Sequence, residues 1–588
     1  MAPQGHRWKL ASDDNEDMSL TPVERTELKA KHEAQAQLLD EEERLFMADD
    51  VEETEVGGGG CQGNDCHNMV VLGAGLVGCL CAVVLLRKGF KVKVFERYAD
   101  IRSIPSAGRS INLSVTSRGL RAIRALGGSL YDDLLGLATK IRGRIIHLAD
   151  GNTVFQRYGK DDSECNYSVS RYELNAFLLD LAAREGAELH FNHILSETSN
   201  FSGDGMMGCV LHFLHGSGQQ KACKRVRVLC PVIACDGAGS RVRRALGHQG
   251  LTTYTERLLT RGYKEVLFPN PGEGNDFGCR GQDGGEPCHG QYGLHIWPRG
   301  DHMLMALANR DGSFTGTIYM DSQGPTDSFD ALEANHEKCK DFLAKHYAHA
   351  VPCVGGMDSF AQQVTDNPAG ILGTVWTSRW AVEAKVVLIG DASHAMVPFF
   401  GQGCNCGFED VRWLSTLLDE HCGDGTPSGP RCPEKCTAAN FSACFRKLEE
   451  ARKPNADAIC DMALENFVEM RDKTGDRKFQ AMKRVENKLE NQFGNKFRSR
   501  YAMVCYGGEG NVSYSNAMAL GITQNEILMR LCSDMIAPQN DSAGNIGTEE
   551  AMNAQVELVD MDLASKLIDE MLVPEQQKLG IDLTTVRH

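Results

Sequence analysis

At 588 residues, 42% of them hydrophobic, the chain is too long for one core and carries enough apolar side chain for two or three domains. Its formal net charge of −17, with no dense Lys/Arg stripe, repels phosphate backbones and sets aside a nucleic-acid role. The 22 cysteines are scattered, and His6, Arg7 and Lys9 are followed by acids instead of an apolar h-region, so reduced thiols in a soluble, cytoplasmic protein are expected over a secreted disulfide framework.

Residues 1–60 hold 16 acids against 6 bases, a net of 10 negative charges, and end in four glycines; residues 1–66 are expected to be a mobile acidic extension with one possible helix over Thr21–Phe46. At Met69 the pattern changes to an apolar strand, Gly73-Ala74-Gly75-Leu76-Val77-Gly78, an apolar helix to Lys88 and a strand over Lys91–Glu96, one βαβ unit. The 18 uncharged residues Met69–Leu86 are long enough to resemble a membrane span, but their glycines argue against one, and the charges of the C-terminal region leave no transmembrane segment visible there. In the glycine fingerprint Gly73 permits the tight turn, Gly75 admits a pyrophosphate close to backbone, and Gly78 lets helix pack on strand. Glu96, at the end of the second strand, can accept hydrogen bonds from the ribose hydroxyls of an adenosine. Gly203-Asp204-Gly205-Met206-Met207-Gly208 matches the same pattern but precedes a strand-like run and not a helix, and is read as a hairpin loop.

Val226–Ala234 and Ala384–Ile389 are predicted as buried strands, each running into an Asp-containing turn. Cys235-Asp236-Gly237-Ala238-Gly239-Ser240-Arg241 and Gly390-Asp391-Ala392-Ser393-His394 resemble the Asp-Gly and Gly-Asp motifs of flavoprotein hydroxylases, whose aspartates serve the flavin's ribose and ribityl oxygens; a simple helix N-cap is the less favoured reading of either Asp, since both motifs occur together. Between the two motifs, His302–Ala308 and Ser313–Tyr319 alternate as in an antiparallel sheet. The turn Val397–Asn405 would present backbone N–H groups to an isoalloxazine and stabilise charge on the reduced ring. His421, Cys422, Cys432, Cys436 and Cys444 lie in a Gly/Pro-rich stretch whose spacing fits no zinc motif, so a surface insertion is preferred and no metal is assigned. From Phe441 to Met535 the composition turns helical and charged.

The expected class is α/β: a Rossmann-like FAD-binding domain (67–250 and 381–420, discontinuous), an antiparallel-sheet substrate domain (251–380), an insertion (421–440), a C-terminal helical region (441–540) and a tail (541–588).

Gly108–Leu113, His295–Arg299, Val397–Gly403 and Asn466–Arg471 together resemble the kynurenine 3-monooxygenase family of FAD-dependent aromatic hydroxylases, over Val70 to about Tyr506. The resemblance implies FAD as cofactor, NADPH and O2 as co-substrates, and 3-hydroxylation of L-kynurenine through a C4a-hydroperoxyflavin, a step of tryptophan catabolism toward NAD. It implies flavin contacts at Val77, Phe95, Glu96, Arg97, Tyr98, Ser114, Arg171, Leu195, Arg241, Asp391, Cys404 and Asn405, and substrate contacts at Arg144, Tyr158, Asn466 and Tyr501. No general acid or base is assigned. Taken singly, Arg144 would also suit a surface ion pair, the two tyrosines core edges and Asn466 a helix cap. Cys404 and Cys406 stand where the family commonly has Met and Ala, and no membrane helix of the kind eukaryotic relatives often carry is visible in the tail, so the mitochondrial outer membrane surface that the resemblance implies is the alternative to a soluble, cytoplasmic location. A flavin hydroxylase of another aromatic, or a non-catalytic flavoprotein, are the rival readings.

Overall fold

The computed structural model describes residues 52–56, 67–104, 112–159, 163–201, 207–215, 222–270, 293–425, 430–470, 477–507, 512–533 and 556–583. The expected Thr21–Phe46 helix, Gly203–Gly205 of the second glycine pattern, Gly108–Ile111 and Arg471 lie outside these residues.

Asn68–Leu72 lies at the centre of a six-stranded sheet, parallel to Lys91–Phe95 on one side and Val232–Ala234 on the other; Glu188–His190 and Val386–Leu388 extend it, and Ala381–Val382 closes one edge antiparallel. Both faces are covered, which is why Met69, Val70 and Val71 form an unbroken apolar run with no solvent exposure. The helix Leu76–Arg87 buries nine consecutive positions apart from Val77, so the long uncharged run is strand, turn and core helix. Among the described residues no helix is long and apolar enough to cross a membrane.

The run expected as one strand over Val226–Ala234 divides in two. Ala222–Val228 belongs to a separate four-stranded sheet and Val232–Ala234 to the nucleotide sheet. Pro231 stands between them and has no N–H to donate, so the ladder cannot continue through it. In the four-stranded sheet, His193–Ser199 and Val210–His215 pair antiparallel around the second glycine pattern. Its outermost strand is Glu52–Val56, from the acidic extension, paired parallel to Ala222–Val228 with Glu52 and Glu53 bonded to Lys224 and Arg225.

A seven-stranded sheet runs in the order Gly370–Thr377, Tyr254–Phe268, Phe314–Asp321, Met303–Ala308, Gly293–Pro298, Gly143–His147, Thr153–Arg157. The last two come from before residue 251, so this sheet takes chain from both sides of that position. Helices His336–Tyr347 and Met357–Asp366 cover one face, sealing Trp297, Phe268 and Phe314. The C-terminal region is helical, with Ala438–Val468, Arg477–Gln492, Arg500–Tyr506 and Tyr514–Leu531. Between the nucleotide domain and these helices, Cys422, Cys436 and Cys444 are buried in the main core, where cysteine packs as a small apolar residue; they do not form the surface of an insertion.

Candidate active site

A cavity of about 760 Å³ opens at the C-terminal ends of Asn68–Leu72 and Lys91–Phe95, lined by Gly73, Gly75, Phe95 to Tyr98, Arg171, Leu195, Asp236 and Arg241 among others. The volume falls within the range of cofactor sites. The three fingerprint glycines have separate jobs. Gly73 has φ +97° and a Cβ there would sit 2.4 Å from the Cys235 carbonyl oxygen, while one on Gly78 would sit 1.9 Å from the Gly73 carbonyl oxygen. A Cβ on Gly75 would meet nothing within 4 Å, so Gly75 faces open space where a pyrophosphate could approach. At the far rim Glu96 accepts from the backbone N–H of Ala74 at 2.7 Å and of Tyr98 at 2.9 Å, which fixes the carboxylate and leaves each oxygen a lone pair for a ribose hydroxyl.

Asp236 braces the start of the helix Arg241–His248, whose N-cap is Ser240: its carboxylate accepts from Ser240 Oγ at 2.7 Å and Arg241 N at 2.8 Å. Burial pushes its carboxyl above the ordinary value although these donors oppose the shift. Asp391 differs: it opens the short helix Asp391–His394, is half-buried, and has no hydrogen bond or ion pair among the described residues. Asp391 is not among the residues that line the cavity of about 760 Å³, and its unpartnered carboxylate remains open to a hydroxyl donor. The two aspartate turns are joined by Arg243, fully buried, which donates to the Ala392 carbonyl at 2.8 Å and to the Ala238 carbonyl at a shorter distance.

Val77 packs where Gly390 and Gly407 leave room, since a Cβ on either would lie 3.1 Å and 2.6 Å from its methyl carbon. The turn Val397–Gln402 then leads into the helix Gly403–Cys422, whose first N–H groups lack intrahelical acceptors. Gly401, at φ +65°, lies against Ser114. The Asn405 side chain is committed to holding this turn: it donates to the Ser114 and Gly401 carbonyls, both at 2.8 Å, and accepts from Thr116 N at 2.8 Å. Only its backbone is left for a ring. Burial pushes the Cys404 thiol up to about 12, so it stays neutral, as Met would in its place.

Arg144, Tyr158 and Tyr501 converge next to this turn. The tyrosine rings stack at 4.9 Å, and the Arg144 guanidinium lies 5.6 Å and 5.2 Å from their centroids. Arg144 is 9% exposed, its Nε has no hydrogen-bond partner, and no ion pair engages it among the described residues. A surface ion pair is therefore not its role. Arg144, Tyr158, Phe400 and Tyr501 border two small cavities, of about 90 and about 60 Å³. Ser114 and Gly401 line the first, Asn466 and Glu469 the second. The Asn466 amide donates to the Phe399 carbonyl at 2.7 Å, which leaves its Oδ1 available.

Beneath the turn lies a buried charge cluster that the sequence does not single out. Asp410 accepts from His394 Nε2 at 2.6 Å and Arg452 Nε at 2.7 Å, and Glu409 pairs with Arg452 at 2.7 Å and Arg118 at 3.1 Å. Burial raises the Asp410 carboxyl, but His394 and Arg452 outweigh it and hold the group below its ordinary value. His394, Cys406 and Asp410 bring ligand atoms within 4.8 Å of one another, yet Arg452 already supplies the cation there. Arg118, reaching the carbonyls of Val504 and Val512, ties this cluster to the C-terminal helices.

Residues 67–272 and 323–428 match the family described as FAD binding domain. Kynurenine 3-monooxygenase of Myxococcus xanthus is 35% identical over 508 residues, covering 86% of this chain and 96% of that protein. The enzyme of the same name from Stenotrophomonas maltophilia is 33% identical over 491 residues, covering 83% and 96%. Among solved structures, the tetrameric form of 2-methyl-3-hydroxypyridine-5-carboxylic acid oxygenase superposes with a TM-score of 0.51 at 16% identity, over 76% of this chain and 99% of that one. Klebsiella pneumoniae HpxO complexed with FAD and uric acid superposes with a TM-score of 0.50 at 17% identity, over 70% and 90%. At such identities these two share the fold.

Proposed function

Because the chain belongs to the kynurenine 3-monooxygenase family of FAD-binding proteins, we propose that it hydroxylates L-kynurenine at the 3-position with NADPH and O2. The observation that carries this reading is Arg144: a buried guanidinium with no ion-pair partner among the described residues, flanked by two phenols, beside the turn that would face the flavin ring. A buried cation left unpaired is costly. An α-carboxylate would satisfy it, with charge-assisted hydrogen bonds each contributing roughly 1.5–3 kcal/mol.

When bound, FAD supplies the redox chemistry, taking a hydride from NADPH and activating O2. Gly75 and the N-terminus of Leu76–Arg87 would hold its pyrophosphate, Glu96 its adenosine ribose and Asp391 its hydroxylated linker; the N–H groups at the start of Gly403–Cys422 would stabilise negative charge on the ring. Asn466 Oδ1 would accept from the substrate's amino group while Arg144 anchors its carboxylate. Phe399 and Phe400 exclude water from the pocket between these groups and Ser114. Either small cavity falls below the roughly 300 Å³ of ordinary ligand pockets, so binding requires side chains of their shared wall to turn and join them. A reducing, cytoplasmic setting suits the many buried free thiols.

The test is NADPH oxidation by the purified FAD-loaded protein with and without L-kynurenine, with the product weighed. Stimulation with a product heavier by one oxygen atom supports the reading; stimulation yielding only hydrogen peroxide makes kynurenine an effector and another aromatic the substrate.

A further inference from the structure

We propose that Asn166 is a positioning residue that turns the Tyr501 hydroxyl into an obligate donor toward the bound carboxylate, so that this pocket selects carboxylate-bearing substrates. The proposal deepens the reading above and rests on it. Asn166 begins the strand Asn166–Ser170, is 4% exposed and borders the cavity shared by Arg144, Tyr158 and Tyr501. Its Nδ2 donates to Tyr501 Oη at 2.9 Å, and its Oδ1 accepts from Tyr506 Oη at 3.2 Å.

The orientation of the amide follows from which hydroxyl can be satisfied elsewhere. Tyr506 is 5% exposed, and its hydroxyl has no acceptor among the described residues other than Asn166 Oδ1. A buried O–H without an acceptor costs free energy comparable to a lost hydrogen bond, so Tyr506 donates and the Oδ1 of Asn166 faces it. The amide NH2 group is then directed to Tyr501, whose oxygen becomes an acceptor toward Asn166. The remaining Tyr501 proton lies on the side of Tyr158 and Cys505, which share it in the absence of substrate, and a carboxylate held by Arg144 displaces these neutral acceptors because a charge-assisted hydrogen bond is stronger. A carboxylate held by Arg144 is an acceptor only and fits that proton; an amine or amide NH at the same place would meet donor against donor.

Asn166→Asp reverses the polarity, because a carboxylate accepts from both phenols and draws the Tyr501 proton away from the pocket. The uncharged Asn166→Leu removes the constraint without adding repulsion. Affinity of the FAD-loaded enzyme is measured by titration for L-kynurenine and for its decarboxylated amine, in wild type, Asn166→Asp, Asn166→Leu, Tyr501→Phe and both double variants. The expected result is about tenfold or greater weakening of L-kynurenine by Asn166→Asp and about threefold or greater by Asn166→Leu, at about 1.4 kcal/mol per decade of affinity, with the decarboxylated amine unaffected or bound more tightly. In the Tyr501→Phe background neither substitution should weaken L-kynurenine further by more than about twofold. Equal losses with and without the Tyr501 hydroxyl, or wild-type affinity in Asn166→Asp, overturn the proposal. Should Asn166→Leu lose FAD, the Asn166→Asp arm decides alone. Failure of the wild-type enzyme to bind L-kynurenine sinks the underlying reading, and this proposal with it.

Discussion

Arg243 donates to the carbonyl oxygen of Ala392 at 2.8 Å, fastening the turn after Val232–Ala234 to the turn after Val386–Leu388 across two neighbouring parallel strands. Both aspartate motifs therefore keep one spacing, set by a side chain that itself does not line the cofactor cavity. Arg243→Leu leaves the buried Ala392 carbonyl without its donor, removes a second bond to the exposed Ala238 and breaks the ion pair with Glu256 at 2.7 Å, and should cost on the order of 2–4 kcal/mol of stability. Thermal melts with and without added FAD should show a lower Tm in both states, and the as-purified protein should hold less flavin. Full flavin content with an unchanged Tm would contradict this role.

The glycine turn separates packing from cofactor approach. Gly75→Ala places its methyl in open space and Gly78→Ala drives it into the Gly73 carbonyl. The first should fold with a wild-type Tm when flavin-free and bind FAD at least about tenfold more weakly, a change of about 1.4 kcal/mol. The second should be destabilised even without flavin. Circular dichroism melts of the apoproteins and flavin fluorescence titrations separate the two.

Arg144→Met removes a buried charge that has no ion-pair partner among the described residues. L-Kynurenine affinity should fall by about ten- to a hundredfold, or about 1.4–2.8 kcal/mol, while the substrate-free Tm changes little, because the desolvation cost removed with the buried ion is offset by the loss of its interactions with Tyr158, Tyr501 and Glu469, which favour the charged form. Calorimetric titration and a substrate-free melt read the two effects separately. Unchanged affinity would take Arg144 out of the site.

Glu490 offers a pH signature distant from the pocket. Burial raises its carboxyl from the ordinary 4.5 to about 6, despite Arg498 at 3.2 Å. A carboxyl raised in the folded state favours folding fully below its unfolded value, and that contribution is lost as pH rises through the folded value. The stability of wild type relative to Glu490→Gln should accordingly decline by about 2 kcal/mol between pH 4 and pH 7, at about 1.4 kcal/mol for each pH unit separating the folded and unfolded values. Denaturant unfolding at a series of pH values checks the slope; a flat difference would show that Arg498 holds the group ionised.

What the sequence makes legible is local. The glycine turn, both aspartate turns and the turn at Pro398–Gln402 are read from residues that act on their own backbone neighbourhood, and the first three lie at the ends of strands. The split at Pro231 was also legible in principle, from a proline inside a strand-like run. Contacts between distant segments were not. Nothing near Asn405 in sequence shows that Ser114 and Thr116, some 290 positions earlier, engage its side chain and leave only its backbone for a flavin. Asn166 carries no local sign that Tyr501 and Tyr506 will close on its amide, and the Arg452, Asp410 and His394 cluster joins three separate elements. The acidic extension misleads for another reason: charge density outweighs the alternation that makes Glu52–Val56 a strand.

That short acidic strand also bears on how the protein stays dispersed. Without it, Ala222–Val228 would expose a bare row of backbone donors and acceptors, an open seam to which a strand of another molecule could add. With it, the rim of the sheet is a line of glutamates at Glu52, Glu53 and Glu55, a poor surface for any incoming strand. Where the chain is trimmed thus decides more than length. A protein starting at residue 52 should remain monodisperse in light scattering, whereas one starting at residue 67 should self-associate, even if both retain their flavin.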